Sequence, residues 1–203
     1  MNDAVEVVLF DFGGVLARFR GIEALAAWAG EGDVDRLWNH WLTSPTVRAF
    51  ETGRLEPAAF AKRLGQELEL GLAPEAILED LREWVPHLLD GAEELLAELG
   101  DRRTALLSNT NSVHWPLYAE TMTPYFECVF LSYETGRLKP DSESFLHVAE
   151  TMACAPSAIL FFDDSETNVN AARRAGLQAE RTRSPAECRK ALQHRGLLAH
   201  RHG

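Results

Sequence analysis

The sequence predicts an α/β fold, a parallel sheet wound on both sides by helices, with a small helical unit inserted after the first strand. Three observations lead there. Apolar runs rich in β-branched and aromatic residues alternate with segments of helical period, the pattern of a doubly wound sheet. The 65 residues 21–85 interrupt that alternation with helical spacing alone. The apolar runs also end in polar residues, and the carboxyl ends of parallel strands are where such sheets bind ligands.

The first run is Val5-Glu6-Val7-Val8-Leu9-Phe10, followed by Asp11-Phe12-Gly13-Gly14-Val15-Leu16. A strand apolar on both faces is buried in a parallel sheet. The glycines permit a tight turn and let a ligand approach the backbone. Ile22, Leu25, Ala26 and Ala29 then mark one helical stripe, and Val34, Leu37, Trp38, Trp41 and Leu42 a second. Pro45 and Gly53 punctuate the region, and Pro57 stands near the first position of a helix carrying Phe60, Leu64 and Leu68. Gly71 stops it, and Pro74 opens another with Ile77, Leu78, Leu81 and Val85.

From Asp90 the alternation resumes. A helix with Ala92, Leu95, Leu96 and Leu99 ends at Gly100 and leads to the strand Thr104-Ala105-Leu106-Leu107-Ser108. Residues 111–122 read as a helix with Pro116 in its first turn or at a kink. Cys128-Val129-Phe130-Leu131-Ser132 is a third strand, and Phe145, Val148, Ala149 and Met152 mark the next helix. Ala158-Ile159-Leu160-Phe161-Phe162 is a fourth strand, ending at Asp163-Asp164. Val169, Ala172 and Ala175 line a helix stopped by Gly176, and Leu177 begins a weak fifth strand.

Composition narrows the function. With 203 residues the chain holds one sizeable core. No apolar run approaches the ~20 residues that span a bilayer, and the first residues carry no basic region leading into a signal peptide. Cys128, Cys154 and Cys188 are far apart and lack metal-type spacing. Reduced thiols and a cytoplasmic location are therefore expected. A formal net charge of −11 argues against nucleic acid and anionic membranes as partners. It also repels a phosphorylated substrate unless a metal ion or a local cation reverses the sign. The basic segment with Arg181, Arg183, Arg189, Lys190, Arg195 and Arg201 reads as a solvated helix face and a frayed tail.

Four strand ends carry polar residues: Asp11, Ser108-Asn109-Thr110, Lys139 in the loop after the third strand, and Asp163-Asp164. In a parallel sheet they converge on one crevice. Carboxylates, a hydroxyl with adjacent amides, and one ammonium suit Mg²⁺-assisted phosphoryl transfer. A hard cation takes oxygen ligands, and the hydroxyl, N–H groups and Lys hold phosphate oxygens as charge shifts. Asp11 could attack phosphorus and form an aspartyl-phosphate. Helix capping accounts for each of these residues singly. It does not account for four compatible strand ends, nor for two adjacent carboxylates after an apolar strand, which need a cation.

Taken together, Phe10-Asp11-Phe12-Gly13-Gly14-Val15-Leu16, Leu107-Ser108-Asn109-Thr110, Leu138-Lys139-Pro140-Asp141 and Phe161-Phe162-Asp163-Asp164-Ser165 resemble the four ordered motifs of haloacid dehalogenase-like (HAD) phosphohydrolases. The resemblance implies a Rossmann-like core, residues 1–16 and 90–203, with a helical cap over 17–89. Phe50-Glu51-Thr52-Gly53-Arg54-Leu55 followed by Phe60 is similar to the caps of small bacterial sugar-phosphate phosphatases, α-glucose-1-phosphate phosphatases among them. By resemblance Asp11 is the nucleophile, Lys139 steadies it and the phosphoryl group, and Ser108, Asn109 and Thr110 bind phosphate. Mg²⁺ is then held by Asp11, the Gly13 carbonyl and the Asp163-Asp164 pair, Asp164 being the favoured direct ligand. Glu51 is a substrate-binding candidate, and the partner is a small phosphorylated metabolite.

One position departs from the family. Most of its phosphatases carry a second Asp, an acid then a base, two residues after the nucleophile; here that residue is Gly13. General acid–base help is worth about 10²–10⁴-fold. Glu51 or His40 from the cap, a metal-bound water or a good leaving group could compensate. Glycine here also occurs in active members of the sugar-phosphate group. Two rivals remain: a haloacid dehalogenase using Asp11 as a metal-free nucleophile, which the Asp163-Asp164 pair disfavours, and a phospho-ligand binding module without turnover. Trp28, Trp38, Trp41 and Phe50 are candidates for the inner cap face, with core packing the favoured role for the tryptophans. His114 and Trp115 lie within reach of the pocket, and His114 is expected to be a satisfied helix residue.

Overall fold

Five parallel strands form one sheet in the order β3-β2-β1-β4-β5. They are β1 (Val7–Phe10), β2 (Arg103–Ser108), β3 (Cys128–Leu131), β4 (Ile159–Asp163) and β5 (Gln178–Arg181). This computed structural model describes residues 4–29, 33–85 and 87–199. The side chain of Ala29, and Arg201 of the basic segment, lie outside the described residues. β1 is central, with Val8 opposite Thr104 of β2 and Leu160 of β4. Its neighbours leave in opposite directions, which opens a crevice at the carboxyl ends.

Side-chain alternation divides the core. Val8, Phe10, Leu106, Leu160 and Phe162 point to one face, where α6 (Ala92–Leu99) and α11 (Pro185–His194) pack. Val7, Leu9, Ala105, Ile159 and Phe161 point to the other, against α9 (Ser142–Thr151) and α10 (Glu166–Arg174). Both faces are covered, which is why the strands read as unbroken apolar runs.

Between β1 and β2 the chain makes α1 (Gly21–Ala29), α2 (Val34–Thr43), α3 (Pro45–Glu51), α4 (Pro57–Glu67) and α5 (Pro74–Arg82). These helices surround their own apolar centre of Leu25, Trp41, Phe50, Phe60, Leu64, Ile77, Leu81 and Trp84. Pro45, Pro57 and Pro74 each stand at a helix start, and the Ser44 hydroxyl accepts from the Thr46 and Val47 N–H groups. The chain segments leading out of and back into the sheet pair with each other. Arg18 N–H donates to the His87 carbonyl, Arg20 N–H to Trp84 and Leu89 N–H to Leu16.

Several sequence expectations change. Residues 111–122 do not form one helix: a turn, a 3₁₀ turn at Trp115–Leu117 and the short α7 (Ala119–Met122) take their place. Pro116 donates no backbone N–H, and the Asn111 side chain caps the Val113 and His114 N–H groups instead. Ile22 and Leu42 are half or more exposed, so neither helical stripe is buried along its whole length. The basic segment is tied down in part: Arg195 pairs with Glu180 at 2.6 Å, and Arg189 with Glu98. α3 and the four-residue α8 (Ser132–Thr135) have no counterpart in the sequence reading. No described helix is long and apolar enough to cross a membrane.

Candidate active site

β1 ends at Phe10, and Asp11 N–H continues the ladder to the Phe162 carbonyl of β4. The Asp11 carboxylate is therefore fixed at the centre of the crevice. Lys139 Nζ lies 2.6 Å from Asp11 Oδ1 and 2.7 Å from Asp163 Oδ2, all three groups being buried. Asp163 closes β4 and has no room for another partner. Its oxygens also accept from Ser165 N–H at 2.8 Å and from Asn168 Nδ2 at 3.0 and 3.1 Å. Asp164 is half-buried, and its side chain meets no such clamp among the described residues.

The loops after β2 and β3 are held by side chains. Asn109 donates from Nδ2 to the Lys139 carbonyl at 2.8 Å and accepts from Lys139 N–H at 2.9 Å. That two-bond clamp occupies the Asn109 side chain and leaves its backbone for a ligand. Thr110 N–H donates to the Ser132 hydroxyl at 2.9 Å, which returns a bond to the Thr110 carbonyl. Only the Thr110 side chain is left free by this arrangement. The Ser108 hydroxyl, at the buried end of β2, takes no partner among the described residues.

Charge at the centre is out of balance. One oxygen each from Asp11, Asp163 and Asp164 falls within a span of 4.8 Å, against a single ammonium. Burial pushes the Asp11 carboxyl upward, and Asp163 and Asp164 push it further against the pull of Lys139. Asp164 is raised by burial and then by Asp163. Burial alone would lower Lys139, but Asp11 and Asp163 hold it above the ordinary lysine value.

This donor set fits a hard cation. All the groups are oxygens, Asp11 and Asp164 have oxygens to spare, and the Gly13 carbonyl accepts none of the backbone bonds of its turn. Those bonds run to Phe12 and Ala17. Gly14 makes the approach possible, at φ 83°, where a Cβ would stand 2.7 Å from the Asp164 carboxyl carbon. The sequence patterns gave no role to Asn168 or Ser132, and held Ser165 only as the end of the fourth motif. The only local signal was Ser165 followed three residues later by Asn168, a helix-start pattern.

A family model for haloacid dehalogenase-like hydrolases matches residues 5–176. The chain belongs to this family. The HAD assignment is matched by relatives that are phosphatases. A D-ribitol-5-phosphate phosphatase of Bacteroides thetaiotaomicron is 27% identical over 93% of this chain and 97% of that one. A phosphatase of Mycobacterium tuberculosis is 28% identical over 87% and 86%. Among solved structures, a HAD family enzyme of Bacteroides thetaiotaomicron in complex with magnesium and inorganic phosphate superposes with a TM-score of 0.71. It is 25% identical and covers 88% of this chain and 94% of that one. An L-2-haloacid dehalogenase of Xanthobacter autotrophicus, 22% identical over 88% and 77%, shares the fold with a TM-score of 0.63. The HAD chain is thus a hydrolase by family, and its Bacteroides and Mycobacterium sequence relatives are phosphatases.

The remaining candidates separate clearly. His40 lies 2.7 Å from Glu67 and lines a hollow of about 320 Å³ with Arg36, Leu37, Leu68 and Glu69, formed by the helical segment alone. His114 is buried with Nε2 2.6 Å from the Leu81 carbonyl, and burial pushes it down to about 4. It is a satisfied structural imidazole. Trp41 is buried in the helical centre, Trp28 and Trp38 pack against it, and Trp115 meets Phe12 edge-on. Glu51 behaves differently: burial raises it to about 7, and no described residue bonds to it.

Proposed function

We propose that this HAD protein is a Mg²⁺-dependent phosphomonoesterase that acts on a small phosphorylated metabolite, a sugar or polyol phosphate, through an aspartyl-phosphate on Asp11. The observation that carries the reading is the convergence of Asp11 and Asp163 on Lys139, with Asp164 left unclamped beside them. The phosphatase relatives, one of them acting on D-ribitol 5-phosphate, support the substrate class.

Asp11 attacks phosphorus, and the leaving alcohol departs in line. Water then hydrolyses the acyl phosphate and restores the carboxylate. Lys139 holds Asp11 in its attacking position and faces the charge on the phosphoryl oxygens. The Ser108 hydroxyl and the Asn109 backbone N–H bind those oxygens. Mg²⁺, held by Asp11, Asp164 and the Gly13 carbonyl, supplies the positive charge that three carboxylates and a phosphate require. Asp163 holds Lys139 in place rather than the metal. The helices over residues 17–89 act as a cap on the core formed by residues 1–16 and 90–203.

The test is an assay of p-nitrophenyl phosphate and D-ribitol 5-phosphate with Mg²⁺, with EDTA, and with Asp11→Asn. Turnover that needs Mg²⁺ and is lost in Asp11→Asn is expected. Release of halide from 2-haloacids undiminished by EDTA would instead make the chain a dehalogenase. A wild type inert on a broad phosphate panel would make it a binding module.

A further inference from the structure

The core carries no side chain at position 13, where the family resemblance implies an acid and base. The backbone there could carry a side chain. A Cβ on Gly13 would meet nothing closer than Phe19 at 3.7 Å, an ordinary contact. An in-line transfer puts the leaving oxygen on the far side of phosphorus from Asp11. A donor can therefore also stand on the wall opposite Asp11, which is the cap.

The cap meets the catalytic loops through α3 and the turn that follows it. Arg48 of α3 pairs with Asp141 at 2.5 Å, two residues beyond Lys139. At Gly53, φ is 70°, and a Cβ there would lie 2.0 Å from the carbonyl of Tyr133 in α8, the short helix that follows β3. The backbones at the carboxyl end of the sheet and at the end of α3 are thus in contact, and only glycine fits between them. Glu51 lies between these two anchors. It follows Arg48 by three residues, so both share a face of α3. Val47 and Phe50 turn into the cap centre, and Glu51, four residues after Val47, stands at the boundary between that buried side and Arg48.

We propose that Glu51 is the general acid and base of the reaction, supplied by the cap in place of the absent side chain at position 13. In the first half, Asp11 forms a bond to phosphorus, the P–O bond to the alcohol breaks, and the Glu51 carboxyl gives its proton to the departing oxygen. In the second half, water attacks the acyl phosphate and gives a proton to the Glu51 carboxylate. Asp11 and protonated Glu51 are regenerated and inorganic phosphate leaves. Glu51 is half-buried, no described residue neutralises it, and its position near 7 keeps both protonation states available at neutral pH. His40 is excluded from the role by its engagement with Glu67 in a separate hollow. The proposal rests on the phosphatase reading.

Two probes of nearly equal size decide it. p-Nitrophenolate leaves unaided, whereas phenol, with a pKa like that of tyrosine (~10), gains from a proton donor. kcat/KM covers the steps through release of the alcohol. Glu51→Gln should lower kcat/KM on phenyl phosphate by about 10²-fold or more, and on p-nitrophenyl phosphate by less than about threefold. Adding Gly13→Asp to Glu51→Gln should restore at least about tenfold on phenyl phosphate. The melting temperature of Glu51→Gln at pH 8 should equal or exceed that of wild type, which shows that the variant folds. Equal losses on both probes, or no loss on either, would overturn the proposal while leaving the phosphatase reading intact. A wild type inert on both probes and on the broad phosphate panel would instead remove the phosphatase reading beneath it.

Discussion

Gly14 shows how one absent side chain shapes the site. Its positive φ suits glycine, and the space a Cβ would fill belongs to the Asp164 carboxyl. Gly14→Ala should displace Asp164 and weaken Mg²⁺ affinity by about 10–100-fold. Titrating Mg²⁺ against the melting temperature checks this, since a ligand bound only by the native state raises it. At this scale the sequence was informative about charge and silent about clamps. Asp11, Lys139 and the Asp163-Asp164 pair stand out because each ends an apolar strand or follows one. Asn109 stands out too, but its side chain holds the Lys139 backbone, an assignment that depends on two loops 30 residues apart meeting. Asn168 and Ser132 act entirely through such meetings, and no local pattern marks them.

α3 is the element of the inserted helices that meets the loops after β3, through Arg48 and the turn at Gly53. Its seven residues give only two buried apolar positions, Val47 and Phe50, too few for a periodic stripe to announce a helix. Ser44 and Pro45 supply the start signal, of which the sequence reading took only Pro45, as punctuation. Phe50 stacks on Phe60 of α4 with ring centroids 4.0 Å apart, and this packing fixes the face that carries Arg48 and Glu51. Phe60→Ala should cost about 3–5 kcal/mol in urea unfolding, from lost burial and the cavity left behind. kcat/KM should fall with it as α3 loses its support. Residues 111–122 make the converse point. Those residues read as a helix with Pro116 in its first turn or at a kink. Pro116 and the Asn111 side chain instead turn the chain into short turns, from which His114 reaches the Leu81 carbonyl and Tyr118 the Val85 carbonyl.

Across the whole molecule, His114 joins the loop after β2 to the end of α5 through the Leu81 carbonyl, and Tyr118 reaches the Val85 carbonyl. The joint is sensitive to acid. An unfolded His114 takes up a proton below about 6.5, whereas the buried imidazole resists until about 4. The contribution of His114 to stability is therefore flat above pH 6.5 and falls as the pH drops toward 4, reaching about 2 kcal/mol lost at pH 5. His114→Asn should be less stable than wild type at pH 7.5, having lost its bond to Leu81. Its own stability should then fall less between pH 7.5 and 5, as urea midpoints at the two values will show. The succession of strands and helices along the chain and the polar residues at the strand ends followed from sequence alone, because burial on both faces forces unbroken apolar runs. The spatial order of the strands did not. Which carboxylate is clamped, where α3 lies, and which loops it meets were decided only by tertiary contacts. Those are choices among hydrogen-bond partners distant in sequence, and no local propensity encodes them.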